Sequence, residues 1–209
     1  MSVLITGANG GLGIAIAERF LEDPEAESRV WLGLREGRDR AEALAARFPD
    51  RCSLVTLDVT DGEAWNKAIQ AIVEADGRLE VLVNNAGFHR DALLATMEEG
   101  DWNAVIEANL NAVFLGCRSV VRQMMSQRYG RLINIASLSA LLAPLGQSNY
   151  AAAKAGVVAL TQSLAKEVGR SGITANAICP GYIETEALSA IPDVRKKEMR
   201  AGIPMRNID

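Results

Sequence analysis

The chain is poor in the residues that staple, chelate or anchor a protein. Its 209 residues include three cysteines and a single histidine. Cys52, Cys117 and Cys179 lie far apart, form no CxxC pair and have only His89 as an imidazole partner. Neither a disulfide framework nor a zinc site is therefore expected, and the thiols read as free and buried in a reducing cytosol. Positive charge is not in surplus either: 22 Lys and Arg against 26 Asp and Glu leave a formal charge of -4. That excludes a general nucleic-acid binder, which needs a basic footprint to neutralise phosphates, so any bound anion must be held by local groups. No basic segment precedes the first apolar run, Val3-Leu4-Ile5, and no secretory leader is expected. Apolar stretches break within about ten residues, short of the roughly 20 that span a bilayer. Repeats, low-complexity tracts and Pro/Gly-rich linkers are missing too. The expectation is one cytoplasmic domain over residues 1–209, without membrane attachment.

What is present is an alternation of two patterns. Short apolar runs at Val3–Ile5, Val30–Leu34, Ser53–Leu57, Val81–Asn84, Arg131–Ala136 and Thr174–Cys179 read as buried strands. Segments 11–21, 38–48, 61–75, 101–127 and 149–169 carry apolar residues at helical spacing, with starts placed at Asp61, Asp101 and Asn149. Such alternation predicts an α/β fold, a doubly wound parallel sheet with helices on both faces. Ligands of these sheets bind beyond the carboxyl ends of the strands, so chemistry is sought there. Only residues 183–209 change character, being charged and broken by Pro192 and Pro204. Two readings stand for them, a mobile substrate flap or a solvated tail.

Directly after the first strand comes Thr6-Gly7-Ala8-Asn9-Gly10-Gly11-Leu12-Gly13, and a helical pattern opens at its end. Glycines let the backbone turn tightly and approach a pyrophosphate, while the helix N-terminus offers free N–H groups and partial positive charge. A Gly-rich turn with no ligand is the plainer alternative. The spacing, Gly7, Gly11 and Gly13, resembles the short-chain dehydrogenase/reductase family. The likeness extends through Asn84-Asn85-Ala86-Gly87, Asn109, Ser137, Tyr150-Ala151-Ala152-Ala153-Lys154 and Pro180-Gly181. It implies a Rossmann-type sheet whose cofactor site uses Gly7, Asn9, Gly10, Gly11, Leu12, Gly13, Asp58, Val59, Asn85, Ala86, Gly87, Tyr150, Lys154, Pro180, Gly181, Ile183 and Thr185. Asp58 would meet the adenine edge, or simply form a turn. Where an NAD site offers a carboxylate, at the end of strand two, this chain has Leu34-Arg35. An arginine pairs with a 2'-phosphate that a carboxylate would repel, so NADPH is favoured over NAD. Against this, Arg35 also suits a solvated turn with Arg38 and Arg40, Glu36 adjoins it, and Gly10 stands where the family often carries a second arginine.

Tyr150 and Lys154 are four apart and share a helix face. Such pairs are common on amphipathic helices, so the spacing alone is slender support for catalysis. A phenol that titrates near 10 needs about 4 kcal/mol to reach neutrality, roughly what one ammonium at about 4 Å supplies at an effective dielectric near 20. Ser137, at a strand end and 13 residues before the tyrosine, matches the family's serine, with Ser139 as local competitor. By resemblance Tyr150 protonates a carbonyl oxygen, Ser137 steadies it, Lys154 activates the phenol and Asn109 holds a proton-relaying water. Asn109 is otherwise a helix amide satisfied by a neighbour.

Around Asn84–Phe114, notably Arg90-Asp91-Ala92-Leu93-Leu94 and Trp102-Asn103, the chain looks most like the branch that reduces 3-oxoacyl groups on acyl carrier protein in fatty acid synthesis. Arg128, Arg131 and Arg170 then become candidates for docking an acidic carrier, against the alternative of solvated charges. Other readings are a reductase or alcohol dehydrogenase for a sugar, steroid or xenobiotic, and a non-catalytic dinucleotide-binding partner in a mixed oligomer. The resemblance also implies a dimer or tetramer, which the small face Ala151–Ala153 and Gly156 permits. It further implies a helix and seventh strand beyond Asp209, so the sheet is expected to lack its last strand and the chain to be truncated.

Overall fold

The computed structural model describes residues 1–183, 201 and 203. Thr185 and nearly all of the 183–209 segment lie outside the described residues. Strands β1 (Ser2–Thr6), β2 (Arg29–Leu34), β3 (Cys52–Thr56), β4 (Val81–Asn84), β5 (Gly130–Ile135) and β6 (Ile173–Ile178) pair in parallel, in the order β3-β2-β1-β4-β5-β6. The helices between them are α1 (Gly11–Glu22), α2 (Asp39–Arg47), α3 (Gly62–Asp76), α4 (Glu99–Ile106), α5 (Ala112–Gln127), the short α6 (Ser139–Leu142) and α7 (Ser148–Val168).

Alternation of side chains along each strand feeds two apolar layers. On one face Leu4, Leu82, Leu132 and Ile173 pack against Trp65 and Ile72 of α3, Val120 and Met124 of α5, and Val157 and Leu164 of α7. On the other, Val3, Ile5, Val30, Leu32, Val81 and Val83 pack against Ala17 and Leu21 of α1 and Ala41 and Leu44 of α2. The expected doubly wound α/β fold is the one found. Both faces of β1 and β4 are fully covered, which is why their sequences run apolar without alternating.

The order of strands reverses between β1 and β4. The two loops leaving their carboxyl ends, Gly7–Gly10 and Asn85–Gly87, part there and open a cleft of about 600 Å³ lined by Gly7, Gly11, Gly13, Arg40 and Asn85. Thr6 ties these loops together, its hydroxyl accepting from the Asn85 and Ala86 N–H groups, each at 3.0 Å. The Asn85 amide in turn donates to the Thr6 carbonyl at 2.9 Å.

Several boundaries differ from the sequence expectation. Asp61 does cap α3, accepting from Glu63 N–H at 2.8 Å, but the helix placed at Asp101 starts at Glu99, and the one placed at Asn149 starts at Ser148. Asn149 is buried and accepts instead from Tyr150 N–H, while its amide donates to the Arg90 carbonyl. Helix 101–127 is interrupted by a π-helical turn at Glu107–Asn111. As a whole Glu99–Gln127 is long and apolar enough, by length and composition, to cross a bilayer, contrary to the reading that no stretch approached that length. Its apolarity is spent inside the fold, where Val113, Cys117, Val120 and Met124 face the sheet and Val105 and Asn109 are fully buried. Cys52 and Cys117 are buried free thiols, pushed up to about 11 by burial, whereas Cys179 is only half-buried.

Candidate active site

The glycine loop is built for close approach. Gly7 has φ +62, and a Cβ there would sit 2.8 Å from Ala86 Cα; a Cβ on Gly13 would sit 2.5 Å from the Gly7 carbonyl oxygen. Side chains at these two positions would close the cleft or push β4's loop away. Helix α1 begins at Gly11 with Gly10 as an N-cap that offers no side-chain acceptor, so its first N–H groups face the cleft uncapped and suit a phosphate. A dinucleotide fits this cradle on those two observations. Leu12 lies in the same first turn of α1 and also lines the cleft. Asn9, expected to touch cofactor, uses its Oδ1 to accept from Arg40 and Ala41 N–H at 3.1 Å each, strapping the glycine loop to the start of α2.

Just past the carboxyl ends of β2 and β3, Arg35 and Asp58 meet. The guanidinium lies 3.4 Å from Asp58 Oδ2 and 3.7 Å from Glu36, and its side chain is 64% exposed. Asp58 is foremost a turn former. Its Oδ1 accepts from the Thr60 hydroxyl at 2.7 Å and Thr60 N–H at 3.0 Å, which hold its carboxyl below the usual range. The Val59 carbonyl is taken by Trp65 Nε1. Arg38 donates to the Thr56 hydroxyl, and Arg40 lines the cleft.

Four residues converge where β5 ends. Ser137 follows β5, and its hydroxyl accepts from Ser139 N–H at 3.1 Å and faces the Tyr150 phenol, favouring its ionised form. Ser139, the competitor, is engaged with Gln147 instead. Lys154 is buried and donates from Nζ to the Ile135 carbonyl at 2.8 Å, with Nζ 5.6 Å from the Tyr150 ring centroid. Burial lowers the Lys154 ammonium to about 8. Tyr150 does not show the lowered value expected of lysine activation. Burial raises its phenol, the Ser137 hydroxyl opposes that, and the charge of Asp91 adds to it. The expectation took an ammonium beside the phenolic oxygen; here the ammonium is drawn down to the strand carbonyl and carries its own desolvation cost.

Asn109 owes its place to the π turn. Such a turn moves main-chain bonds from i−4 to i−5, as Ala112 N–H to the Glu107 carbonyl demonstrates. The Val105 carbonyl accepts from the Asn109 side-chain amide at 2.9 Å, and the Phe88 carbonyl accepts from the same amide at 2.7 Å. With both amide donations committed, Oδ1 is buried without a partner. It points at Gly87: a Cβ added there would lie 2.4 Å from Asn109 Oδ1 and 3.6 Å from Lys154 Nζ. One small space is thus shared by an orphaned acceptor and a buried ammonium, and a water bridging them would satisfy both.

The Pro180-Gly181 segment is drawn to the same end of the sheet by Leu138 N–H donating to the Pro180 carbonyl at 2.8 Å; Gly181 is exposed and Ile183 half-buried beyond it. The three arginines expected to dock a carrier fall elsewhere. Arg128 and Arg170 flank Gly172, whose carbonyl accepts from Arg131 at 3.2 Å, at the amino ends of β5 and β6. Ser137 comes six positions after Arg131 along extended chain, roughly 20 Å away. The small face proposed for oligomer contact is also spent internally: Ala151 and Ala153 are buried, and Gly156 packs on Leu110 of the same chain.

A buried polar chain behind the site was not anticipated. Asn84 donates to Asn134 Oδ1 at 2.8 Å, and Asn134 donates to the Thr161 hydroxyl at 2.9 Å, joining β4, β5 and α7. The signal in the sequence was an asparagine in each of two buried strands, Asn84 closing β4 and Asn134 within β5.

A parallel sheet in this order, with a glycine cradle at its switch point and a serine, tyrosine and lysine at the end of β5, defines a dinucleotide-dependent oxidoreductase fold. The family model for short chain dehydrogenases matches residues 1–196, and the chain belongs to that family. It is 40% identical over 205 residues to the 3-oxoacyl-[acyl-carrier-protein] reductase FabG of Chlamydia pneumoniae, covering 97% of this chain and 82% of that one. The enzymes of the same name from Escherichia coli and Vibrio harveyi are 38% and 37% identical, each over 201 residues, 96% of this chain and 81% of theirs.

Proposed function

We propose that the chain is an NADPH-dependent 3-oxoacyl-[acyl-carrier-protein] reductase, forming the 3-hydroxyacyl thioester in cytoplasmic fatty acid or related acyl-chain biosynthesis. The observation that carries the reading is the convergence of Ser137, Tyr150, Lys154 and Asn109 beside a glycine cradle, in a chain about two-fifths identical to a reductase of that name. Gly7–Gly13 and Asn85–Gly87 would hold the dinucleotide, which when bound would supply the hydride for the ketone carbon. Ser137 donates to the carbonyl oxygen as negative charge grows on it. Tyr150, held protonated by its burial, passes its proton to that oxygen, and Lys154 with the Asn109 space restores it. Arg35, largely exposed just past the end of β2, would offer its guanidinium to a 2'-phosphate, and this supports NADPH.

An acyl substrate suits the mouth of the site. Leu93 and Leu94, Leu141, Leu142 and Leu145 are all more than half exposed, and they flank the Ala92 N–H to Gly146 carbonyl bond near Tyr150. A carrier held at Arg128, Arg131 and Arg170 would need to deliver its acyl group across roughly 20 Å. Self-association as a dimer or tetramer fits the outward faces of α5 and α7, which expose Phe114, Met125, Ala152 and Ala155.

The test is NADPH oxidation with an acetoacetyl thioester. Tyr150→Phe is expected to lose at least about a hundredfold in turnover while keeping NADPH affinity. Near-wild-type turnover of that variant would sink the mechanism, and turnover of unrelated ketones in preference to the thioester would sink the substrate.

A further inference from the structure

A chain of polar contacts on the substrate side of Tyr150 is left unused by this mechanism. Asp91 Oδ2 accepts from the Gln147 amide at 3.0 Å, Gln147 Oε1 accepts from the Ser139 hydroxyl at 2.8 Å, and Ser139 N–H donates to the Ser137 hydroxyl at 3.1 Å. Two of these bonds point toward Asp91, and the third runs from Ser139 to Ser137. A carboxylate accepts only, so Asp91 fixes which end of the Gln147 amide faces it, and hence which end meets Ser139. Gln147 is the N-cap of α7, three residues before Tyr150. The same loop is pinned twice more, to α7 by Asn149 donating to the Arg90 carbonyl and to the turn before α7 by Ala92 N–H donating to the Gly146 carbonyl.

We propose that Asp91 is a positioning residue for the Ser137–Tyr150 pair, acting through Gln147 and Ser139 and presenting its charge to the phenol. The inference rests on Tyr150 being the proton donor. Groups facing this pair are few among the described residues: Lys154 from α7, and His89, whose Nδ1 lies 3.0 Å from Asp91 Oδ1 and whose ring meets Tyr150 edge-on at 6.0 Å. Arg90 is turned away to Asp101 and Phe88. An acidic neighbour disfavours phenolate, and a reductase needs the phenol. Asp91 therefore tilts the site toward reduction, and removing its charge lets Tyr150 lose its proton at lower pH. His89, when protonated, offsets that charge.

The experiment compares Asp91→Asn, Asp91→Ala and Gln147→Ala with wild type in three measurements: phenolate absorbance on alkaline titration, taken as the difference from a Tyr150→Phe background; the pH profile of thioester reduction; and NADPH affinity with melting temperature. Asp91→Asn is expected to lower the phenolate midpoint by about half a pH unit, the scale of one partly solvated charge, and the alkaline limb of reduction with it. Asp91→Ala and Gln147→Ala are expected to lose about tenfold in kcat with NADPH affinity and melting unchanged, a typical loss for misplaced catalytic groups. Asp91→Asn, which still accepts from Gln147, should lose less. An unmoved midpoint in Asp91→Asn together with wild-type kcat in Asp91→Ala overturns the proposal. Equal losses in Asn and Ala accompanied by weaker NADPH binding and lower melting overturn it as well, since Asp91 would then only hold the fold. A wild-type chain that reduces no thioester removes the functional reading instead, and the phenolate titration still decides whether Asp91 acts on Tyr150.

Discussion

Lys154 should cost the protein stability that its chemistry requires. Burial lowers its ammonium from 10.5 to about 8, and at about 1.4 kcal/mol per pH unit the charged form destabilises the folded state by roughly 3 kcal/mol at neutral pH. Lys154→Met keeps the volume and removes the charge. It also leaves the Ile135 carbonyl without its donor at 2.8 Å, which returns about 1–2 kcal/mol. The net gain of about 1–2 kcal/mol corresponds to a melting temperature roughly 3–6 °C above wild type for a chain of this size. The gap must also depend on pH. Between about 8 and 10.5 the unfolded chain holds a proton on Lys154 that the folded chain has released, so wild-type stability rises with pH across that window. The variant lacks that gain, so its advantage is full below pH 8 and shrinks toward 10.5. Thermal unfolding of both proteins by circular dichroism across that range reads the difference, in which Cys52, Cys117 and other shared groups cancel. A variant less stable than wild type at neutral pH, or a gap that widens as pH rises, would refute the reasoning. Turnover should be lost throughout.

Gly13→Ala, whose Cβ would meet the Gly7 carbonyl oxygen at 2.5 Å and Ala8 Cα at 2.9 Å, is expected to lower stability by about 1–3 kcal/mol and to weaken NADPH binding more than tenfold by fluorescence titration. Gly10→Ala, with only a 3.4 Å contact, should melt like wild type. Arg35→Ala is expected to raise the Kd for NADPH about tenfold while leaving that for NADH within about twofold, because only the former has the charge an arginine pairs; equal losses for both would refute the assignment. Asn134→Leu removes the oxygen that accepts from the Asn84 amide and a donor to the Thr161 hydroxyl and should destabilise by about 1–3 kcal/mol in urea unfolding.

Much of this architecture was legible because it is local. Val3–Ile5 and Val81–Asn84 read as strands since both faces are buried, and Tyr150 and Lys154 read as a pair since one helix carries both. Contacts made across the fold left little trace. Thr6 meets Asn85 and Ala86 over 79 and 80 residues, and Asn84 meets Asn134 over 50; each looked like a small polar residue in or beside a strand. The direction of the Tyr150 shift failed for a related reason. Helical spacing puts Lys154 near the ring, but only the fold reveals that its ammonium bonds Ile135 and that Asp91 lies on the other side. The placement of Arg128, Arg131 and Arg170 was likewise hidden: they gather at the amino end of the sheet, because a parallel strand carries its first and last residues to opposite sides of the molecule.

The π turn at Glu107–Asn111 makes the residue count of its helix a constraint in its own right. Deleting one residue there would leave a regular and equally stable-looking α-helix, but everything on one side would rotate by about 100° relative to the other. Either Val113, Cys117 and Val120 leave the sheet or the Asn109 amide swings off Phe88 and Val105. A shortening that secondary-structure propensity would welcome is thus forbidden, and sequences that share this chemistry must keep the extra residue even where every side chain in the turn except Asn109 has changed.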